Sequence, residues 1–189
     1  MGRPSTRPQR RAQLLSAFAR VLADHGYAGA TIAAVANEAG VAPGLVHHHF
    51  KHKAELMEAL VNTLVSQFRA RVQVRQQSLG PKSDPLLTYI EGALRLDDQA
   101  DPIAARCWVG VFAEAVRNPT LFKHLRQLIA QELTTIRRRS GDTLDEQQAS
   151  AVLAFMMGAL VMGAFAPENT TGFAAPALHQ LVAAMGRTS

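Results

Sequence analysis

The stretch Thr31–Phe50, TIAAVANEAGVAPGLVHHHF, decides the fold. Thr31 places a hydroxyl acceptor ahead of Ile32, Val35, Ala36 and Ala39, whose spacing puts one apolar face on a short helix. Gly40 is the residue type that ends a helix in the left-handed region. Pro43 suits the first turn of a second helix, where its missing N–H costs nothing. Val46 and Phe50, four apart, give that helix an inward side. Two short helices joined by a glycine turn form a helix-turn-helix, whose second helix enters the major groove of DNA.

On the N-terminal side, residues 2–9 read as a mobile basic arm. A helix from about Gln9 to His25 follows, with Leu14, Phe18, Val21 and Leu22 on one face and Gly26 as its stop. On the C-terminal side, a long helix is expected from Lys53 to about Gln77, striped by Leu56, Leu60, Leu64 and Phe68. At ~1.5 Å per residue it exceeds 30 Å, enough to leave the head and enter a second unit. Residues 78–85, SLGPKSDP, form the clearest linker.

Three more helices share one opening: Asp84-Pro85, Asp101-Pro102 and Asn118-Pro119 each pair an N-cap acceptor with proline at the first helical position. The stripes behind them are Leu87, Ile90, Leu94; Trp108, Val109, Phe112, Val116; and Leu121, Leu125, Leu128, Ile129. Thr143 with Glu146 reads as a capping box for an eighth helix reaching about Ala166. A ninth follows Pro176 with Leu178, Leu181, Val182 and Met185. No strand-like alternation appears, so the expectation is all-α: three helices in a head (residues 1–53) and six in a ligand-binding and dimerisation unit (residues 54–189), the fourth helix connecting the two.

Charge supports that division. The chain of 189 residues carries a net +5. Residues 1–53 hold seven Lys/Arg against Asp24 and Glu38, whereas residues 54–189 balance thirteen basic with thirteen acidic side chains. A basic first third on a neutral remainder is the footprint of a polyanion-binding head. A protein coating DNA without sequence preference would carry its charge over the whole surface.

One cysteine, Cys107, excludes an internal disulfide framework and a four-cysteine zinc site, which suits a reducing cytoplasm. The basic N-terminus lacks the apolar run of a secretory signal. The longest apolar run, Ala151–Ala166, falls short of the roughly 18 residues of a membrane span and reads as a helix buried in a protein interface.

The head resembles the tetracycline-repressor (TetR) family. The resemblance rests on Thr31, Ile32, Ala36, the run Ala39-Gly40-Val41-Ala42-Pro43-Gly44-Leu45-Val46-His47-His48-His49-Phe50, then Lys53 and Leu56, within about residues 8–60. Two positions depart from the family pattern: Ala42 stands where a helix-capping, phosphate-touching serine is usual, and His47 where a tyrosine is usual. Residues 106–128, RCWVGVFAEAVRNPTLFKHLRQL, are similar in part to the ligand segment of choline-responsive, BetI-type repressors.

The DNA-facing set follows from this. Thr31 and the free N–H groups of its helix suit a phosphate, and Lys53 holds the equivalent place at the fourth helix. Ala42, Pro43, Gly44, Leu45, His47 and His48 face the groove, Gly44 permitting close approach and Leu45 suiting a thymine methyl. Arg3 and Arg7 on the arm suit the adjacent minor groove. Histidines on the reading helix, with an ordinary pKa of about 6.5, imply DNA affinity that rises as pH falls. His48 and His52 are four apart, but no carboxylate or thiol completes a metal set, so neither metal nor cofactor is expected.

In the second unit, Trp108 and Phe112 lie four apart on one helix. Phe68, Tyr89, Phe155, Met156 and Met157 are candidates to line the same apolar cavity. Trp108 suits a quaternary ammonium through cation–π attraction, with Glu91 or Glu114 offsetting the charge. Gly158, Ala159 and Gly163 on the eighth helix allow close approach, and with the ninth they suggest a four-helix homodimer interface. A two-fold dimer also sets two reading helices about 34–36 Å apart, as successive major grooves require.

The function expected is therefore a cytoplasmic, sequence-specific DNA-binding repressor, relieved from its operator by a small-molecule inducer. An activator, or a ligand-independent regulator of the same fold, would carry the same sequence signals. An enzyme is not expected: no Glu is followed three residues later by His, as di-iron bundles need, and no nucleophile constellation is present.

Overall fold

The computed structural model describes residues 7–80, 82–94, 102–170 and 172–186. Among them the regular structure is entirely helical. The order is α1 (Arg7–Gly29), α2 (Ile32–Ala39), α3 (Pro43–His49), α4 (Lys53–Leu79), α5 (Pro85–Leu94), α6 (Pro102–Ala115), α7 (Pro119–Arg139), α8 (Glu146–Phe165) and α9 (Ala174–Met185), with a 3-10 turn at Pro167–Asn169 between the last two.

Helix α1 starts at Arg7, two residues before the expected boundary, because Pro8 is tolerated in a first turn. The regular path breaks at Gly26, whose φ of 67° and ψ of 178° suit only glycine. At the other end of the turn, Gly40 sits in the left-handed region (φ 65°), and Val41 N–H donates to Ala36 O at 2.9 Å. That closes α2 and aims the chain into α3.

The proline starts are built as their residue types dictate. Asp84 Oδ1 accepts from Leu86 N and Leu87 N at 2.8 and 2.9 Å. Asn118 Oδ1 accepts from Leu121 N at 3.1 Å. Helix α6 begins at Pro102, while Asp101, its expected cap, lies outside the described residues.

Three expectations are corrected. The capping box of α8 is Asp145 with Gln148, each bonding the other's backbone N–H, not Thr143 with Glu146. The Thr143 hydroxyl instead donates to Ser140 O in the preceding turn. Helix α9 starts at Ala174, so Pro176 lies inside its first turn. Val116, assigned to the buried stripe of α6, lies past the end of that helix and is 82% exposed.

Two cores run side by side. The first joins α1, α2 and α3 to the front half of α4 (Leu56, Leu60, Leu64) and to Cys107 and Val111 of α6. The second joins Val72 of α4 with α5, the end of α7, α8 and α9. Helix α4, 27 residues and about 40 Å long, feeds both. Gly92 marks a close approach of α5 to α4, since a Cβ there would meet Val72 Cα at 2.7 Å.

Helix α8 is longer than its apolar run: Glu146–Phe165 has a mean hydropathy of 1.7, long and apolar enough to span a membrane by length and composition. One edge packs into the second core through Val152, Leu153 and Met156, while Met162 and Phe165 stay exposed.

Candidate nucleic-acid interface and adjoining cavity

The reading helix is presented by α1. Arg11 donates from Nη1 to His49 O at 2.8 Å, lies 4.0 Å over the Phe50 ring, and pairs with Glu55 at 3.5 Å. Gln13 donates to Ala39 O at 2.8 Å, holding the end of α2. Arg20 pairs with Glu38 of α2. Arg11 and Gln13 answer orphan carbonyls at the ends of the two short helices. Arg11 and Arg20, part of the basic charge of residues 1–53, are thus engaged inside the head.

Thr31 caps α2, its Oγ1 accepting from Ala34 N at 3.1 Å, which leaves the hydroxyl proton to donate outward. Ala42 caps α3 with no side-chain bond, as its methyl requires. Pro43, Gly44, His47 and His48 are exposed and Leu45 is half-buried, while Val46 and Phe50 are fully buried beneath them. His49 is half-buried. Burial and the positive neighbours His48, Arg7, Arg11 and Arg10 lower its pKa below the usual histidine value.

Lys53 is not free at the helix start. Its ammonium donates to Tyr27 O at 2.7 Å and lies 4.0 Å over the Tyr27 ring. His52, grouped with His48 by spacing, lies outside α3 and caps α4, Nδ1 accepting from Glu55 N at 3.2 Å. Glu55 reaches back to accept from Lys51 N at 2.9 Å, and that bond holds its carboxyl below the ordinary range. Arg7, assigned to the mobile arm, is an exposed residue of the first turn of α1, and Arg3 lies outside the described residues.

Behind the head, α4 to α9 line a part-open apolar cavity of about 150 Å³. Phe68, Tyr89, Trp108, Phe112, Met156 and Met157 all line it. Trp108 and Phe112 stack with centroids 5.6 Å apart, and Phe68 meets Tyr89 edge-on at 5.5 Å. Phe155 is not in the wall and packs against the second core.

The expected carboxylates are elsewhere. Glu91 is tied to Arg75 at 3.1 Å and His179 at 3.7 Å. Glu114 acts on Tyr27 at the head, where burial and then this negative charge raise the tyrosine pKa. The acid in the cavity wall is Glu132 of α7, which accepts from the Tyr89 hydroxyl. Burial, followed by the Glu132 charge, drives the Tyr89 pKa well above the ordinary value. Glu132 lies in phase with the α7 stripe of Leu121, Leu125, Leu128 and Ile129, four residues after Leu128, and that spacing was its signal in the sequence.

Helix α6 joins the two sites. Trp108 and Phe112 face the cavity, while Cys107 donates to Ala19 O at 3.2 Å and Arg106 donates to Ala23 O and Asp24 at 2.9 Å. Gly110 lets α6 approach Leu22, which a Cβ would meet at 3.3 Å.

A three-helix head with a helix-turn-helix, borne on a helical unit with an apolar cavity, defines a DNA-binding regulator. Residues 14–60 match the family model described as bacterial regulatory proteins, tetR family. The HTH-type transcriptional regulator BetI of Escherichia coli O45:K1 is 30% identical over 179 residues, covering 91% of this chain and 89% of that protein. A transcriptional regulator from Rhodococcus sp. Rha1 superposes with a TM-score of 0.79 at 24% identity, covering 94% of this chain and 96% of that one. A regulator from Saccharomonospora viridis, solved in complex with choline, superposes at 0.69 with 20% identity, covering 91% and 94%. The chain belongs to the tetR family and is a DNA-binding transcriptional regulator, not an enzyme.

Proposed function

We propose that the chain is a cytoplasmic homodimeric repressor whose grip on a pseudo-palindromic operator is relieved by a compact organic cation bound in the cavity. The observation that carries this reading is α6, whose neighbouring residues Cys107 and Trp108 serve α1 and the cavity respectively. A ligand wedged against Trp108 moves a rod that is bonded to the head. DNA affinity then falls by as much as the ligand prefers the displaced state.

The ligand class follows from the wall. An apolar cavity on the order of 150 Å³ accepts a molecule about the size of benzene. A quaternary ammonium gains from the indole face of Trp108, and Glu132 supplies the offsetting charge. The choline held by the Saccharomonospora viridis regulator favours the same class.

DNA contact is assigned to Thr31, the exposed face of α3 (Ala42, Pro43, Gly44, Leu45, His47, His48) and Arg7. Lys53 reaches phosphate with the ammonium hydrogens that Tyr27 leaves over. The dimer face is assigned to α8 and α9, where Met162, Phe165, Phe173 and Leu181 are exposed. Gly158, with nothing within 4 Å of its would-be Cβ, leaves room there for a partner helix. Ala159, expected on that face, lines the cavity instead.

The test is an operator gel shift titrated with choline. Release of DNA at choline concentrations that saturate the cavity is the expected result. Choline binding that leaves operator affinity unchanged would overturn the induction reading.

A further inference from the structure

A second, polar cleft lies against the apolar cavity, between α4 and α7, with a volume of about 430 Å³. Arg69, Gln73 and Gln76 of α4 line it on one side, and Thr135, Arg138 and Arg139 of α7 on the other. Three guanidiniums and two amides face a space whose one lining acid is Glu132, and that carboxylate already accepts from Tyr89. Arg69 and Arg138 have no carboxylate partner among the described residues. Arg139 lies 5.1 Å over the Tyr89 ring and donates to Pro85 O at 3.3 Å, while its Nε is buried without a hydrogen-bond partner.

The arginines at the end of α7 partly answer the helix dipole. That does not account for Arg69, which comes from the middle of α4, nor for an orphaned guanidinium donor. Guanidinium forks fit oxyanions two bonds at a time, and a buried donor without an acceptor is costly until one arrives.

Phe68, Tyr89 and Glu132 line both spaces. The wall between a cation-suited cavity and an anion-suited cleft is therefore three side chains.

We propose that the α4–α7 cleft is an oxyanion compartment, and that the molecule this protein senses carries a phosphate or carboxylate group there beside the body held in the apolar cavity. The second half rests on the cavity reading above; the oxyanion site itself does not.

The two halves separate by experiment. Titration calorimetry of the full chain with inorganic pyrophosphate, comparing wild type with Arg69→Gln/Arg138→Gln, reads the cleft as the binding that the two substitutions remove. Both positions are exposed, and unchanged helical circular dichroism checks the fold. Pyrophosphate binding weakened about tenfold or more in the variant is expected. Equal binding by both proteins, or none, overturns the oxyanion site. Phosphocholine against choline then reads the shared ligand: phosphocholine is expected to bind about tenfold tighter to wild type, an advantage lost in the variant while choline affinity stays the same. Choline binding as tightly as phosphocholine to wild type overturns the two-compartment ligand even where pyrophosphate binds.

Discussion

Lys53 donates its ammonium to the carbonyl oxygen of Tyr27 at 2.7 Å and covers that residue's ring at 4.0 Å, pinning the start of α4 to the segment that follows the Gly26 break in α1. Lys53→Ala is expected to destabilise the chain by about 1–2 kcal/mol, the range of a half-buried charged hydrogen bond with a cation–π contact. Tyr27→Phe keeps both the carbonyl and the ring, so it should leave stability nearly unchanged. Urea unfolding of the two variants checks the pair, and equal losses would refute the carbonyl as the anchor.

Ala42 has the extended backbone of an N-cap (φ −70°, ψ 143°) and no side-chain acceptor. Ala42→Ser should add about 0.5–1 kcal/mol of stability by capping α3. A rise in melting temperature with tighter operator binding is the expected outcome. A neutral or lower melting temperature would mean the serine hydroxyl does not reach the helix.

Gly92 has Val72 Cα 2.7 Å from the position a Cβ would take. Backbone cannot move aside as a flexible side chain can, so Gly92→Ala should cost about 1–3 kcal/mol through overpacking. Chemical denaturation measures it, and a neutral substitution would show that α4 and α5 separate easily.

Glu132 is the carboxylate of the cavity wall, whereas Glu91 is spent on Arg75 and His179. Glu132→Gln should weaken choline binding about tenfold while sparing operator affinity without ligand. Glu114→Gln should leave choline binding alone. Calorimetry with both variants distinguishes them, and loss in the Glu114 variant would contradict the geometry.

His49 is disfavoured as a cation in the folded chain, first by burial and then by His48 and the α1 arginines. The unfolded chain takes up that proton near the ordinary value of about 6.5, the folded chain only at lower pH. Its contribution to stability is full above about pH 6.5 and is lost as pH falls through the folded value. His49→Gln should flatten the decline in melting temperature between pH 7 and pH 5. An identical slope in the variant would remove His49 as its source.

The head was legible because its rules are local. Thr31 as a cap, Gly40 as a left-handed stop and Pro43 at a first turn each act within four residues of themselves. The same holds for Asp84 and Asn118. Where two local rules overlapped, the reading slipped: Thr143-Glu146 and Asp145-Gln148 both satisfy the capping spacing, and only the path out of α7 selects the second. Most of the aromatic cavity residues followed from helical periodicity; Glu132 shares the α7 stripe, but a stripe alone does not say that it lines a cavity. Glu91, Glu114 and Glu132 look alike along the chain, and which one faces Trp108 depends on how α5, α6 and α7 are rotated against each other. Arg11 and Gln13 were missed for the same reason, since their acceptors lie 38 and 26 residues away.

On α6, the faces toward α1 and toward the cavity are adjacent along the chain yet separate in their partners. Trp108 and Phe112 line the cavity, whereas Arg106, Cys107 and Gly110 meet α1. One short helix thus carries two independent sets of contacts, so substitutions on its cavity face and on its α1 face are separable by mutation.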